Sequence, residues 1–319
     1  MQLIHPAPEQ GLLGLRAMRM VAEADGEIGP AARTLMEAAE HFLLGLDQPP
    51  GDLPPISPSE LAAGISGPLA EQLCQGMLVV GFADGPLSDA AFNKINEFAA
   101  ALHVDLPAMH TMHKMIEHHM VLFKLDFMRH SQIGGMLEDQ FQHHGGIVGL
   151  AKGILGVRGL VEDPELAARF VAFGDLPEDT LGYRFFRHYR DNGFAFPGER
   201  QGFPVAGAYH DFAHVLGGYH ATPAEEMLVG GLVAGFRRQN PFYVILFVQL
   251  TFGAGMNMTP VPQPTTRSIL AQPGLAERFF RSIERGAAMN TDLSYDWDFW
   301  PLAPLPIDAA RERLGLPSE

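Results

Sequence analysis

The stretch Leu15–Leu43, LRAMRMVAEADGEIGPAARTLMEAAEHFL, reads as an apolar helix, an Ala-Asp-Gly turn and a second amphipathic helix. The same pattern returns at Cys74–Leu102, CQGMLVVGFADGPLSDAAFNKINEFAAAL, with Asp25-Gly26 and Asp84-Gly85 in equivalent places. In each copy a glycine can take positive φ to end the first helix, and Pro30 or Ser88 suits the start of the next. Two helical hairpins are expected. No segment elsewhere alternates apolar and polar residues at strand period for long, so the fold class expected is all-α.

Composition narrows the function. A chain of 319 residues, 47% hydrophobic, is long enough for one large or two ordinary domains. A formal net charge of −15 without any Lys/Arg cluster argues against nucleic acid and against electrostatic docking on anionic lipid. Cys74 is the single cysteine, which excludes disulfides and cysteine metal cages, so any metal has to use His and carboxylate. The first residues, MQLIHPAPEQGLLGLRAM, lack a basic region followed by an apolar core, which predicts a cytoplasmic protein. The most membrane-like stretch, PFYVILFVQLTFGAGMNM from Pro241, is broken by Gly253 and Gly255, is followed by Pro260 and falls short of the roughly 20 residues a spanning helix needs. A buried helix or a lipid-facing groove is expected there, with location at most peripheral on the inner face of the membrane.

Between the hairpins, GLDQPPGDLPPISPSE is too rich in proline for regular structure. A long helical pattern then runs from about Pro107 to Phe141 and carries five histidines, among them His110 and His113, which share a face with Glu117 as a candidate second site. Gly145 and Gly146 mark a boundary, giving domains over 1–143 and 144–319.

The repeated turns resemble those of the TerB-like family associated with tellurite resistance, whose helical fold is built from two such halves and whose ADGxI turns recur here at Asp25 and Asp84. The resemblance covers about the first third of the chain and implies metal-linked acids at Asp25, Glu27 and Asp84. Pro86 stands where the first copy has Glu27. Read from the residues alone, each Asp caps a helix or stabilises its turn.

The chemistry-bearing motif lies in HDFAHVLGGYHATPAEE, His210–Glu226. On a helix His210 and His214 share a face, so both imidazoles can reach one ion. Asp211 is turned by about 100°, from where it reaches the ion or orients a ligand. Gly217 and Gly218 end that helix, and Thr222 as N-cap, Pro223 and Glu225 as a capping acid start the next. Its first turn returns Glu226 towards the histidines. Two imidazoles with one or two carboxylates suit zinc first, then iron or manganese.

The spacing His-Asp-x2-His-x11-Glu, here His210, Asp211, His214 and Glu226, resembles the signature of the Coq-four ubiquinone-biosynthesis family. So do LPEDTLGYRFFRHY from Leu176 and RSIERGAAMNTDLSYDWDFWPLAPLPIDAARERLGL from Arg281, so that the likeness covers Val157 to the end. The chain departs from the family before the first histidine, where GFPVAGAYHD lacks the usual Arg-Tyr-Arg element and so alters the charged entrance. The resemblance implies a divalent metal held by His210, Asp211, His214 and Glu226, with Asp211 and Glu226 in catalytic roles. It also implies action on a prenylated aromatic or quinone lipid, with oxidative removal of the C1 carboxyl, and association with other quinone-biosynthesis proteins or with further copies of the chain. Phe242, Tyr243, Phe247 and Phe252 are candidates to line an isoprenoid groove or to be core.

Three further readings stay open from the residues themselves. Tyr209 donates a hydrogen bond at the site or simply packs, and the SYDWDFW cluster with Asp296, Trp297, Asp298 and Trp300 shapes the site or anchors the last helix. At the level of function, the alternatives are a noncatalytic metal-stabilised scaffold or prenyl-lipid carrier, and an HD-type phosphohydrolase built on His210-Asp211 with His188 and Asp292.

Overall fold

The computed structural model describes residues 1–46, 53–131, 162–258 and 265–318. Among these the protein is all-α, with fourteen α-helices and no strand. Its contacts fall into two compact units. One comprises Gln2–Phe127 with Phe242–Glu284; the other comprises Met128–Pro241 and Arg285–Glu319 together with Met1. The boundary expected at 143/144 lies outside the described residues.

The first unit contains the two hairpins. Helices α1 (Pro8–Ala22) and α2 (Pro30–Ala39) form one, and α4 (Pro68–Gly81) and α5 (Asp89–Ala101) the other, with the short α3 (Pro58–Gly64) between them. Pro30 opens α2 and the Ser88 hydroxyl accepts the Ala91 N–H at 3.0 Å to open α5, as their side chains dictate. Gly26 carries the turn of the first hairpin at φ 126, whereas Gly85 in the second does not adopt positive φ, so the expectation of such a glycine in each copy holds only for the first. The buried faces meet through Leu15, Val21, Leu35, Met36, Leu73, Met77, Ile95 and Phe98. Cys74 lies in the same core, where burial pushes its thiol up to about 12, so it behaves as an inert apolar side chain.

Asp84, in the second hairpin's turn, has its carboxylate oxygens 3.0 and 2.9 Å from the Ala31 and Ala32 amides at the start of α2. It therefore caps a helix of the first hairpin, taking up two amides that the helix itself leaves unpaired. The two copies are clasped through the acid they share. Gly29 is needed beside it, because a Cβ there would stand 2.2 Å from an Asp84 oxygen.

Two sequence expectations are corrected here. The proline-rich linker is not wholly irregular, since Pro58–Glu60 begin α3, with the Ser57 hydroxyl accepting the Glu60 amide at 3.1 Å. The long helix expected from Pro107 is broken into α6 (Pro107–Ile116) and α7 (Met120–His130), with His118 at φ 60 between them. That left-handed residue ends a helix whose apolar pattern alone gives no stop signal. The remainder of the expected helix, residues 132–141, lies outside the described residues.

The apolar stretch after Pro241 forms α12 (Phe242–Val248) and a π-helical turn, Gln249–Gly253. Phe242, Tyr243 and Phe252 are buried in the core of the first unit, where Tyr243 hydrogen-bonds Thr111 at 2.8 Å. Among the described residues no helix is long and apolar enough to cross a membrane.

The second unit contains α8 (Pro164–Val171), α9 (Leu181–Asn192), α10 (Ala208–Gly217), α11 (Pro223–Phe236), the last residues of α13 (Leu275–Ala288) and α14 (Ile307–Leu314). An aromatic core holds it. Phe185 on α9 stacks on Phe212 of α10 at 4.2 Å, Phe212 meets Phe299 and Trp297, and Phe170 meets Trp300 at 4.9 Å. Arg169 covers the Trp300 ring at 3.6 Å. The Trp297 and Trp300 rings thus anchor the chain near α14 and brace α10 through Phe212. Fully burying a ring such as Phe170, Phe185 or Phe212 contributes roughly 2–3 kcal/mol.

Candidate metal centre

Helix α10 ends where the two glycines dictate, with Gly218 at φ 80. Its last carbonyls are met by cations: Arg285 donates to Gly217 O at 3.1 Å and Arg311 to Leu216 O at 2.9 Å, which complements the negative end of the helix. Helix α11 starts on Thr222, whose hydroxyl accepts the Glu225 amide at 3.3 Å, while the Glu225 carboxylate accepts the His220 amide. The expected cap is therefore present, although its acid reaches His220 rather than the backbone of Thr222. With both ends fixed, the reversal between α10 and α11 brings Glu226 to the histidines.

His210 Nε2 and His214 Nε2 stand 3.3 Å apart. Glu226 faces both, with Oε2 at 3.3 Å from His210 Nε2 and Oε1 at 3.2 Å from His214 Nε2. Their ligand atoms all lie within 4.8 Å of one another, a set that could hold a metal ion. The His214 side chain is 2% exposed, whereas His210 and Glu226 are 33% and 26% exposed, so the cluster has a fixed inner wall and an accessible outer edge.

The electrostatics match the geometry. Burial works against a charged Glu226, but the hydrogen bonds and charges of His210 and His214 outweigh it and hold the carboxyl well below the usual range. Burial also works against a charged His210, and there Glu226, with Asp211, overcomes it and raises the imidazole. Two imidazole nitrogens and one carboxylate converging on the same space form a donor set of the kind that a divalent cation takes. Without an ion, each imidazole can donate to its own oxygen of Glu226.

Asp211 lies outside the three-residue group. Its Oδ2 accepts the Tyr189 hydroxyl at 2.5 Å and its Oδ1 is 4.0 Å from His188 Nε2. Burial, then the Asp211 charge, drives the Tyr189 phenol far up, so the tyrosine stays a hydrogen-bond donor. His188 is pushed down to about 4, first by burial and then by His214, so it is neutral at neutral pH. Both residues come from α9. Neither stands out in the sequence as a partner of Asp211, although His188 occupies the upstream place that an HD-type site requires. The downstream acid of that arrangement is committed elsewhere, because Asp292 accepts the Arg238 amide at 2.9 Å and the Ser294 amide and hydroxyl at 2.9 and 2.6 Å.

The other sequence candidates lie apart. Tyr209 is buried and its phenol is raised by burial, with the charge of Arg237 and a hydrogen bond with that residue acting against the shift, so its hydroxyl is paired with Arg237. His110 pairs with Asp105 at 2.6 Å and His113 with Glu117 at 3.2 Å, all exposed, so these histidines are drawn to separate acids. Asp84 caps α2, and Asp25 and Glu27 are exposed. Among the described residues, His210, His214 and Glu226 form the one group that meets the spacing of a metal site. Set against models of known protein families and against curated proteins, the chain matches none.

Proposed function

We propose that the chain is a metal-dependent protein of ubiquinone or related prenylquinone biosynthesis, with a divalent ion held by His210, His214 and Glu226. Zinc fits the donor set first, and iron or manganese next. The observation that carries this reading is the mutual approach of the two Nε2 atoms and the Glu226 carboxylate. The quinone substrate rests on the resemblance of His210, Asp211, His214 and Glu226 and of the flanking segments to the Coq-four family.

An ion held by these residues would supply Lewis acidity toward the carboxylate and phenolic oxygens of a prenylated 4-hydroxybenzoate-type ring. Replacing the ring carboxyl by hydroxyl would release carbon dioxide, with water as the source of the new oxygen and a two-electron oxidant taking up the electrons, both from outside the chain. His214 provides a rigid inner ligand, while His210 and Glu226 face the side from which a ring can approach. Asp211, tied to Tyr189, fixes the neighbouring turn of α10.

A second reading, a noncatalytic scaffold or lipid carrier whose ion is structural, is favoured by the way the cluster joins α10 to α11. Turnover separates the two. A metal-loaded wild type that converts a prenylated 4-hydroxybenzoate, beside an inactive Glu226→Ala, supports the enzyme. Stable lipid retention with no product in either protein supports the scaffold.

A further inference from the structure

A histidine that ligates a metal through Nε2 is ordinarily oriented by a hydrogen bond from Nδ1 to a carboxylate, carbonyl or water. His214 departs from this pattern. Its Nδ1 is buried and has no hydrogen-bond partner, while its Nε2 faces His210 and Glu226. No protein group hydrogen-bonds that atom, so the packing against the ring helps to set its plane.

The ring that lies against it is His188. The two imidazoles stack with centroids 5.1 Å apart and planes 29° from parallel. The His188 side chain is 8% exposed, and its own Nε2 is buried without a hydrogen-bond partner. Its distance of 4.0 Å from Asp211 Oδ1 is beyond hydrogen-bond reach. Phe194 meets its ring edge-on at 5.8 Å, and the adjacent Tyr189 anchors Asp211 at 2.5 Å. A buried polar ring with that nitrogen unused is thus held between Phe194 and the least exposed of the three candidate ligands, against which it stacks.

We propose that His188 is a positioning residue of the metal centre, acting as an aromatic wall that fixes the ring of His214 by stacking. The inference rests on the metal-centre reading above. Helix α9 then contributes to the site through two neighbouring residues, His188 against His214 and Tyr189 against Asp211, so that two residues of α10 are held from the same helix. The wall's work is done by its flat face, and another flat ring does it equally well.

The test compares the full-length wild type with His188→Phe and His188→Leu. The measurements are zinc affinity by chelator competition, the visible spectrum of the cobalt(II) form, and melting of the metal-free proteins to establish folding. His188→Phe is expected to keep zinc affinity within about threefold and to leave the cobalt bands in place, whereas His188→Leu weakens zinc roughly 10–100-fold and shifts the bands. If the leucine variant fails to fold, His188→Gln, also without a flat aromatic ring, carries the same expectation. Wild-type affinity and spectrum in the leucine or glutamine variant would overturn the role of His188. Equal loss in the phenylalanine variant would overturn it as well, because the nitrogen and not the ring face would then matter. A wild type that binds no zinc overturns the metal-centre reading itself, an outcome distinct from a zinc-binding wild type whose His188 variants behave alike.

Discussion

His214 Nε2 lies 3.2 Å from Oε1 of Glu226, although eleven residues and a helix reversal separate them in the chain. The approach depends on Gly218 ending α10 and on Thr222 starting α11, and it converts two ordinary helical faces into one chelating surface. Glu226→Gln keeps the size of the side chain but removes its charge. Zinc affinity should fall by more than the roughly 10–100-fold that loss of an outer partner costs. Chelator competition measures it, and unchanged affinity would remove Glu226 from the ligand set.

The metal-free cluster should leave a signature in stability against pH. Glu226 is depressed, so its contribution is present above the unfolded carboxyl value and is lost as pH falls through the folded one. His210 is raised, so its contribution is complete below the unfolded imidazole value and is lost as pH rises through the folded one. Both act together between about pH 4.3 and about pH 6.5, where the cluster contributes most. Zinc requires neutral imidazoles, so its stabilising effect should instead grow from about pH 6 to about pH 8. Melting with and without zinc across this range tests the pair of trends, and a zinc effect that shrinks with rising pH contradicts them.

The cap shared between the hairpins is testable without any ligand. Asp84→Ala removes the acceptor of the Ala31 and Ala32 amides and should destabilise the protein by about 1 kcal/mol, up to about 2. Gly29→Ala should also destabilise, because its methyl meets the Asp84 carboxylate. Denaturant unfolding of both variants checks this, and a neutral Asp84→Ala would mean that the cap contributes nothing.

Close packing behind α11 makes a further demand. A Cβ at Gly286 would lie 2.0 Å from the carbonyl oxygen of Leu232, a backbone atom that cannot swing away. Gly286→Ala should therefore cost about 1–3 kcal/mol and, by pushing the helix that carries Glu226, weaken zinc binding as well. Unfolding and zinc titration of the variant read the two effects together.

The helical class was legible because the periods of Leu15–Leu43 and Cys74–Leu102 and the residues at their turns agree with one another. The histidine pair was legible because a spacing of four on a helix is a geometric statement, and Glu226 because Thr222 and Pro223 announce a new helix. What the sequence did not reveal depends on contacts between distant segments. Nothing local in Asp84 says that it caps the other hairpin, and nothing in the spacing of α9 says that His188 lies on His214. The break at His118 was hidden for a related reason, since a left-handed histidine carries no marker of the kind a glycine supplies.

Metal content of the purified protein, wild type beside His210→Ala, decides whether His210, His214 and Glu226 hold an ion. Stoichiometric divalent metal is expected in the wild type, zinc foremost, with its loss from a variant that still folds. A wild type without metal even after incubation with zinc, or a His210→Ala protein that retains as much as the wild type, would contradict this expectation.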